Sequence, residues 1–297
     1  MTEQNVLLLG VDGGGTRCRA RLCAGSGEVL GEAVTGPANL RLGLGRSFAA
    51  AVEAAGQCLD CAGLPRQHYA RIVACLALAG ASEPGHRAAA QDHRHPFRKV
   101  VVATDAYAAC IGAHGETDGG VIIAGTGTVG WASVQGKTCR VGGWGLPISD
   151  EGSGAWLGIE ALRRVLWAAD GRTPWTALLR ALFADFGNDP HAIVGWTATA
   201  SPRDFGALAP RIVEHAVRGD AAAVELMQLA ATHIDALAAR LVALGAARLA
   251  LVGGFAPSLK PWLAAATKSH LVEPAGDALS GAIWLARSAA NSLARVA

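Results

Sequence analysis

The stretch VLLLGVDGGGTRCRARL, residues 6–22, decides the fold of this chain. An apolar run ends at Asp12, three glycines and a threonine follow, and polar and apolar residues then alternate. This pattern predicts a strand, a tight glycine turn and a second strand. Because glycine has no Cβ, the backbone of the turn can adopt positive φ and approach a ligand closely.

The residues of this turn are suited to binding phosphate. Consecutive free N–H groups form a concave anion site, and the turn contains Gly13, Gly14, Gly15 and Thr16. Asp12 places a carboxylate at its edge, where a metal ion that carries phosphate can bind. A glycine-rich hairpin turn without a ligand has the same pattern, so this stretch alone leaves both interpretations open.

The strand after the turn carries three arginines, Arg17, Arg19 and Arg21, at alternate positions. Alternation places them on one side of the strand, and we interpret them as its polar face.

The composition predicts a folded protein with two domains or one large one. The chain has 297 residues, of which 51% are hydrophobic and 17% charged, so a sizeable core is available. The net charge is +2 and no basic block stands out, which indicates neither a nucleic acid nor a membrane as partner. The N-terminus has no signal-peptide pattern, and we expect a cytoplasmic protein. Seven scattered cysteines are typical of reduced thiols.

A second glycine turn indicates that the fold is duplicated. Residues 119–135, GGVIIAGTGTVGWASVQ, again predict strand, turn and strand, with Gly125, Thr126, Gly127 and Thr128 in the turn. The first half has the order βββαβαβα, which predicts a mixed sheet with helices on its faces. The second half starts in the same way and then carries a helical insertion. Two similar lobes would place a glycine turn on either side of one polyphosphate.

Several helix and strand boundaries follow from local signals. Ser47 is predicted to cap the first helix, residues 258–268 to form one helix, and residues 270–272 to form a short strand.

Two further acidic residues are candidates for the chemistry. Asp105 follows the buried strand KVVVAT, and the carboxyl ends of parallel strands are where α/β sheets bind ligands. Asp105 suits a general base that takes a proton from an attacking hydroxyl, although a helix N-cap is the alternative. Asp150 lies in SDEGSG, residues 149–154, before a predicted helix. Acidic residues and glycines there can bind polyol hydroxyls or simply cap the helix.

Taken together, these motifs resemble the acetate kinase–sugar kinase–Hsp70–actin superfamily, and within it the BadF/BadG-type branch that holds N-acetylglucosamine kinases. The likeness to bacterial glucosamine kinases is greatest in residues 104–114, 147–158 and 201–206. The motifs that carry the resemblance are VDGGGT (11–16), ATDA (103–106), AGTGT (124–128), GGWG (142–145), SDEGSG (149–154), LVGGF (251–255) and DALSGA (277–282).

The resemblance implies an α/β fold of two RNase H-like (actin-like ATPase) lobes with an interdomain cleft. The lobes would be residues 1–117 and 118–297, with the last helix packing back on the first lobe. It implies that ATP and Mg²⁺ are the cofactors. It also implies a role for each candidate residue: phosphate binding for Gly13, Gly14, Gly15, Thr16, Gly125, Thr126, Gly127 and Thr128, adenosine binding for Gly253 and Gly254, metal binding for Asp12, base catalysis for Asp105, and sugar binding for Asn39, Asp105 and Asp150.

We therefore expect an ATP-dependent amino-sugar kinase that phosphorylates the 6-hydroxyl of glucosamine or N-acetylglucosamine. Kinases of animals that act on the N-acetylated sugar have Asn and Cys where this chain has Val129 and Val141, which leaves room for the free amine. We expect a homodimer that binds neither nucleic acid nor membrane. The alternatives are an ATPase that activates a redox enzyme of the 2-hydroxyacyl-CoA dehydratase or benzoyl-CoA reductase type, and a non-catalytic sugar sensor.

Overall fold

The structure, a computed structural model, describes residues 6–115 and 117–294. It divides into two compact units. Unit 1 contains the described residues up to Thr117 and those from Pro274 onward, and unit 2 runs from Asp118 to Glu273. The sequence-based division counts residues 274–297 with the second lobe. The structure groups the described part of that segment with unit 1, because its helix packs there.

Unit 1 is built on a five-stranded sheet. Its strands are β1 (Leu7–Gly13), β2 (Cys18–Ala24), β3 (Val29–Thr35), β4 (Ile72–Leu78) and β5 (Lys99–Ala103). The order is β3-β2-β1-β4-β5. β1 pairs antiparallel with β2 and parallel with β4, and β4 pairs parallel with β5. The register sets Asp12 level with Ala77 and Ala77 level with Ala103, so the carboxyl ends of three strands meet at one edge.

Helices cover both faces of this sheet. They are α1 (Leu44–Cys61) and α2 (Pro84–Gln91) on one face, and α3 (Asp105–His114) and α12 (Ala278–Ala294) on the other. The side chains of β1 alternate between the faces as a strand requires. Leu9 and Val11 pack with Phe48 of α1, whereas Leu8 packs with Ile283 of α12.

Glycines allow α12 to approach β1 and α3 closely. A Cβ on Gly10 of β1 would lie 2.8 Å from the carbonyl oxygen of Leu279. A Cβ on Gly112 would overlap the Asp277 carbonyl, and one on Gly281 would overlap the Ala108 carbonyl. Larger residues at these positions would push the last helix away from the sheet.

The first helix begins earlier than the sequence predicts. α1 starts at Leu44 after Gly43, whose φ of 113° turns the chain into the helix. Ser47 is therefore inside the first turns of the helix, and the prediction that it is the N-cap is wrong. Its buried hydroxyl donates instead to the carbonyl oxygens of Asn39 and Gly43, over 2.8 and 3.0 Å.

Unit 2 repeats the strand pattern of unit 1 in a smaller sheet. Its strands are β6 (Gly119–Ala124), β7 (Thr128–Val134), β8 (Lys137–Gly142) and β9 (Leu249–Val252). The order is β8-β7-β6-β9. β6 pairs antiparallel with β7 and parallel with β9, as β1 does with β2 and β4.

The other helices form most of the core of unit 2. They are α4 (Gly154–Ala169), α5 (Ala177–Asp185), α6 (Pro190–Thr197), α7 (Pro202–Gly206), α8 (Ala209–Val217), α9 (Ala221–Ala243), α10 (Ala256–Leu259) and α11 (Ala265–His270). Buried side chains of α4, α5 and α9, such as Leu157, Leu179 and Leu226, pack with Ile122 of β6. Within the described ranges, no helix has the length and apolarity needed to cross a membrane.

Residues 258–268 do not form the single helix that the sequence predicts. They contain the end of α10, a 3-10 helix at Lys260–Trp262 and the beginning of α11. Pro261 lacks the N–H that a continuous helix needs, and Leu263 has an extended backbone with ψ of 150°. Residues 270–272, predicted as a strand, contribute an isolated bridge between Leu271 and Leu249.

Candidate active site

The first glycine turn connects β1 to β2 and is open at its tip. The Gly14 N–H donates to the carbonyl oxygen of Arg17 over 3.0 Å, which closes the turn. Gly15 and Thr16 are exposed. The nearest atom to a Cβ on Gly14 would be 3.5 Å away, an ordinary contact. The backbone at the tip is therefore accessible to an anion.

The glycine that precedes the tip is needed for close packing. A Cβ on Gly13 would lie 2.6 Å from both the Ala38 carbonyl oxygen and Leu78 Cδ2. Gly13, Gly14 and Gly15 do not adopt positive φ. The left-handed backbone that glycine permits is thus not used in this turn, whose shape depends on hairpin pairing and on the absence of side chains.

Asn39, predicted to bind sugar, lies beside the first turn. The Ala38 N–H donates to the Gly14 carbonyl oxygen over 3.1 Å and holds the loop there. Asn39 Oδ1 accepts the Arg41 N–H over 3.0 Å. Its Nδ2 would be 3.7 Å from a Cβ on Gly15. The amide donor of Asn39 is therefore next to the exposed tip of the turn.

The Asp12 carboxylate, at the carboxyl end of β1, is held by Arg19. The two residues are directly opposite in the β1–β2 register. Arg19 donates to Asp12 Oδ2 from Nη2 over 2.7 Å and from Nε over 3.2 Å. Both bonds use Oδ2, so Oδ1 is the oxygen left for a metal ion or its waters. The sequence-based interpretation of Arg19 as part of a polar face missed this pair, although the hairpin register was the signal.

Asp277 directly precedes α12 and belongs to the same charged cluster. Its Oδ1 accepts the N–H and the O–H of Ser280, both over 2.9 Å. Arg21 donates to Ser280 Oγ over 3.0 Å, and Arg19 Nη1 lies 3.6 Å from Asp277 Oδ2. Burial opposes ionisation, but the Ser280 donors and the two arginines hold the pKa of Asp277 below its ordinary value. The sequence identified DALSGA as a family motif and missed this role.

Asp105, the candidate base, is the first residue of α3. Thr104 rather than Asp105 caps this helix, because Thr104 Oγ1 accepts the Tyr107 N–H over 3.0 Å. Asp105 Oδ1 accepts the Ala106 N–H over 2.9 Å. Burial and, to a smaller extent, the charge of Asp12 raise the pKa of Asp105 to about 6. Such a carboxylate is largely ionised at neutral pH and is basic enough to accept a proton.

The second glycine turn, in unit 2, is enclosed by backbone. Within the turn, the Gly125 N–H donates to the Gly127 carbonyl oxygen over 2.9 Å. The beginning of α4 also donates to it. The Gly154 N–H bonds the Gly125 carbonyl oxygen over 2.9 Å, and the Ala155 N–H bonds that of Thr126 over 3.2 Å. The helix therefore fixes the position of this turn.

Asp150 packs directly on the second turn. Its Oδ1 accepts the Gly145 N–H over 3.0 Å, and a Cβ on Gly127 would lie 2.6 Å from its Oδ2. Its φ of 66° is uncommon for a residue with a side chain. Ser153 rather than Asp150 caps α4, with Oγ accepting the Trp156 N–H over 3.1 Å. Strained residues of this kind concentrate at functional sites.

Two more features of unit 2 fit a bound ligand. Thr128 is 4% exposed, and its Oγ1 has no hydrogen-bond partner in the described part of the chain, whereas buried hydroxyls are normally paired. Gly253 has φ of 105°, and a Cβ there would overlap the carbonyl of Ala124, just before the second turn. Gly254 is exposed. The glycines predicted to lie near adenosine are thus next to the strand that enters the turn.

The acidic residues offer a single carboxylate rather than a preformed metal centre. Across residues 6–115 and 117–294, no group of three or more His, Cys, Asp or Glu side chains could hold a metal ion. Mg²⁺ commonly binds to one or two carboxylates and completes its shell with water and phosphate oxygens. Asp12 Oδ1, an oxygen ligand beside the first turn, fits this requirement.

Comparison with known proteins identifies the class to which these features belong. Residues 9–280 match the model of the BadF/BadG/BcrA/BcrD ATPase family. The chain is a member of this family, as the sequence motifs predict.

Individual relatives are similar over nearly their full lengths. Glucosamine kinase GspK of Vibrio cholerae is 39% identical over 285 residues, which are 96% of this chain and 97% of the relative. A solved structure from Chromobacterium violaceum, provisionally named an N-acetylglucosamine kinase, has a TM-score of 0.89 and 34% identity. It covers 95% of this chain and 99% of its own.

A more distant structure shares the fold alone. The activator of 2-hydroxyisocaproyl-CoA dehydratase from Clostridium difficile, solved with bound ADPNP, has a TM-score of 0.54. Its identity is 10%, with 98% of each chain covered. The predicted α/β fold class of actin-like ATPases is confirmed by these similarities.

Proposed function

We propose that this chain is an ATP-dependent amino-sugar kinase that transfers the γ-phosphoryl group to the 6-hydroxyl of glucosamine or N-acetylglucosamine. The observation that carries the proposal is Asp105. Its carboxyl group has a raised pKa, and Asp105 is the first residue of the helix that follows β5, at the sheet edge where Asp12 lies near the end of β1. Similarity to a glucosamine kinase over nearly the whole chain supports the substrate class.

Asp105 acts as the general base in this proposal. It accepts the proton of the attacking sugar hydroxyl as the oxygen bonds to phosphorus and the bond to the ADP oxygen breaks. Phosphoryl transfer needs little covalent help, so positioning and charge stabilisation supply most of the rate. Asn39 and Asp150 hold sugar hydroxyls through an amide donor and a carboxylate acceptor.

The two glycine turns hold the phosphates of ATP. The first contributes exposed backbone N–H groups and the Thr16 hydroxyl, and the second contributes Thr126 and the unpaired Thr128 hydroxyl. Gly253 and Gly254 let the backbone pass close to adenosine. Mg²⁺ bound at Asp12 Oδ1 would neutralise charge on the phosphate oxygens.

Measuring ADP release with glucosamine, N-acetylglucosamine, glucose and no sugar tests this function. We expect ADP release to be fastest with one of the two amino sugars and slow without sugar. The product should show coupling between phosphorus and the C6 protons in a ³¹P–¹H NMR spectrum. Equal rates in all four reactions would contradict the kinase proposal, and sugar binding without ADP release would support a sensor instead.

The redox-activator alternative is less supported because a glucosamine kinase is 39% identical over nearly the whole chain, whereas the dehydratase activator is 10% identical and shares the fold alone. Burial raises the pKa of Cys18 to about 11 and those of Cys58 and Cys75 to about 12. Burial thus disfavours the thiolate form of these residues, and thiolates are the ligands of an iron–sulfur cluster. The homodimer and the cytoplasmic location stay predictions.

A further inference from the structure

Arg19 lies between two carboxylates that come from distant parts of unit 1. It binds Asp12, at the end of β1, with two nitrogens, and its Nη1 is 3.6 Å from Asp277, at the beginning of α12. Asp277 is itself fixed by Ser280, whose hydroxyl also accepts from Arg21, and by Arg21 directly, over 3.5 Å. The Arg19 guanidinium thus contacts Asp277 on one side and binds Asp12, the residue beside the first turn, on the other.

The bonding of Arg19 has a specific consequence for Asp12. A guanidinium is planar and always charged, so its two donors fix the direction of a carboxylate that a flexible ammonium would leave free to rotate. Because both donors engage Oδ2, rotation of the carboxylate is restricted and Oδ1 keeps one position. A residue that hydrogen-bonds to a metal-binding side chain orients that side chain and strongly affects the affinity for the metal.

The chain provides a matched control two residues away. Arg21 also comes from β2, and its side chain also reaches Asp277, with Nη1 3.5 Å from Oδ1. Its other carboxylate partner is Glu32 on β3, over 2.5 Å, rather than Asp12. Loss of Arg21 therefore weakens the attachment of α12 in a similar way but leaves the Asp12 pair in place.

We propose that Arg19 is a positioning residue for metal–nucleotide binding, which fixes Asp12 through Oδ2 so that Oδ1 receives the ion. The inference rests on the part of the proposed function that assigns the metal to Asp12. It does not depend on which sugar is the acceptor.

Titration of Mn²⁺ by electron paramagnetic resonance, in the presence of ADP, tests this role without turnover. The wild-type protein is compared with Arg19→Met, Arg19→Lys and Arg21→Met. We expect Arg19→Met to bind Mn²⁺ about 10- to 100-fold more weakly, as is typical when the partner of a metal ligand is lost. Arg19→Lys should recover part of the affinity, and Arg21→Met should remain close to wild type.

Steady-state kinetics give a second readout on the same proteins. Arg19→Met should raise the KM for Mg·ATP while the KM for the sugar stays near its wild-type value. If Arg19 had only a structural role, its loss would raise the KM for Mg·ATP and the KM for the sugar alike, and it would also change the circular dichroism spectrum and the unfolding midpoint.

Two results would overturn the inference. One is a folded Arg19→Met protein that binds Mn²⁺ with ADP as tightly as the wild type does. The other is an equal loss in Arg19→Met and Arg21→Met, which would assign the effect to Asp277 and α12. A wild-type protein that binds Mn²⁺ and ADP but phosphorylates no amino sugar would contradict the proposed reaction, while the same affinity ratio would still support Arg19.

Discussion

The two glycine turns have similar sequences and equivalent places in their sheets, yet they are held by different means. At the first turn, the adjacent Asp12 is fixed by a side-chain ion pair and the tip is open. The second turn receives hydrogen bonds from the α4 backbone and packs against Asp150. The first turn is therefore held by strand pairing and keeps an accessible tip, whereas the second is held by α4 and Asp150, so substitutions at the two tips should have different effects.

The largest expected effect is on the turnover number, because the general base that we propose, Asp105, lies in unit 1. Asp105→Asn should lower kcat by about 10²- to 10⁴-fold, the usual contribution of a general base. Binding of a non-hydrolysable ATP analogue should stay near the wild-type value, because neither turn is altered. Asp92→Asn, at an exposed carboxylate after α2, serves as the control. Near-normal turnover of Asp105→Asn would remove that residue from the role of base.

A pair of alanine substitutions compares the turns directly. Gly127→Ala should lower the free energy of unfolding by about 0.5–1.5 kcal/mol, because the new Cβ would lie 2.6 Å from Asp150 Oδ2 and would push that side chain off its hydrogen bond with the Gly145 N–H. Gly14→Ala should change it by less than about 0.5 kcal/mol, since its Cβ meets ordinary contacts. Urea unfolding followed by far-ultraviolet circular dichroism, to which both units contribute, measures both. Equal losses would show that the two turns are equally enclosed.

The smallest expected effect is on the pH profile. The ionised form of Asp105 is the base, and its pKa is raised to about 6, so kcat should rise with pH and level off above that value. Below it, the rate should fall about tenfold per pH unit. The residual activity of Asp105→Asn should not follow this profile. A midpoint of about 4, the pKa of an unperturbed aspartate, would show that burial does not act on Asp105 during turnover.

Much of the fold could be predicted because local signals and tertiary structure agree. The apolar run that ends at Asp12, the glycines after it and the alternation beyond them predict β1 and β2, and the structure places both strands there. The repeated pattern near residue 119 likewise predicts β6 and β7. The position of Asp105 after a buried strand marked it as a candidate, whereas the role of Asn39 came from the family resemblance, and both roles stay predictions. In the structure, Asn39 lies at the first turn and Asp105 at the sheet edge where Asp12 lies near the end of β1.

What the sequence did not predict depends on contacts between distant segments. Ser47 has the chemistry of a cap, but Gly43 starts the helix earlier and leaves Ser47 to bond the loop that carries Asn39. In the sequence, Arg19 cannot be distinguished from the other residues of a polar strand face. Its contact with Asp12 follows from the hairpin register, which places the two residues opposite each other. Asp277 is far from both in the chain, and only the packing of α12 brings it within reach.

The position of α12 also affects the order in which the protein can fold during synthesis. The strands of unit 1 and its helices α1 to α3 are made first, but the face of β1 that carries Leu8 and Gly10 is covered only once α12 has emerged from the ribosome. Unit 2, residues 118–273, must be translated in between, which takes roughly 8–30 s at typical rates of 5–20 residues per second. During that interval the nascent first unit exposes an apolar surface that a chaperone can bind, whereas unit 2 is contiguous and can close as it leaves the ribosome.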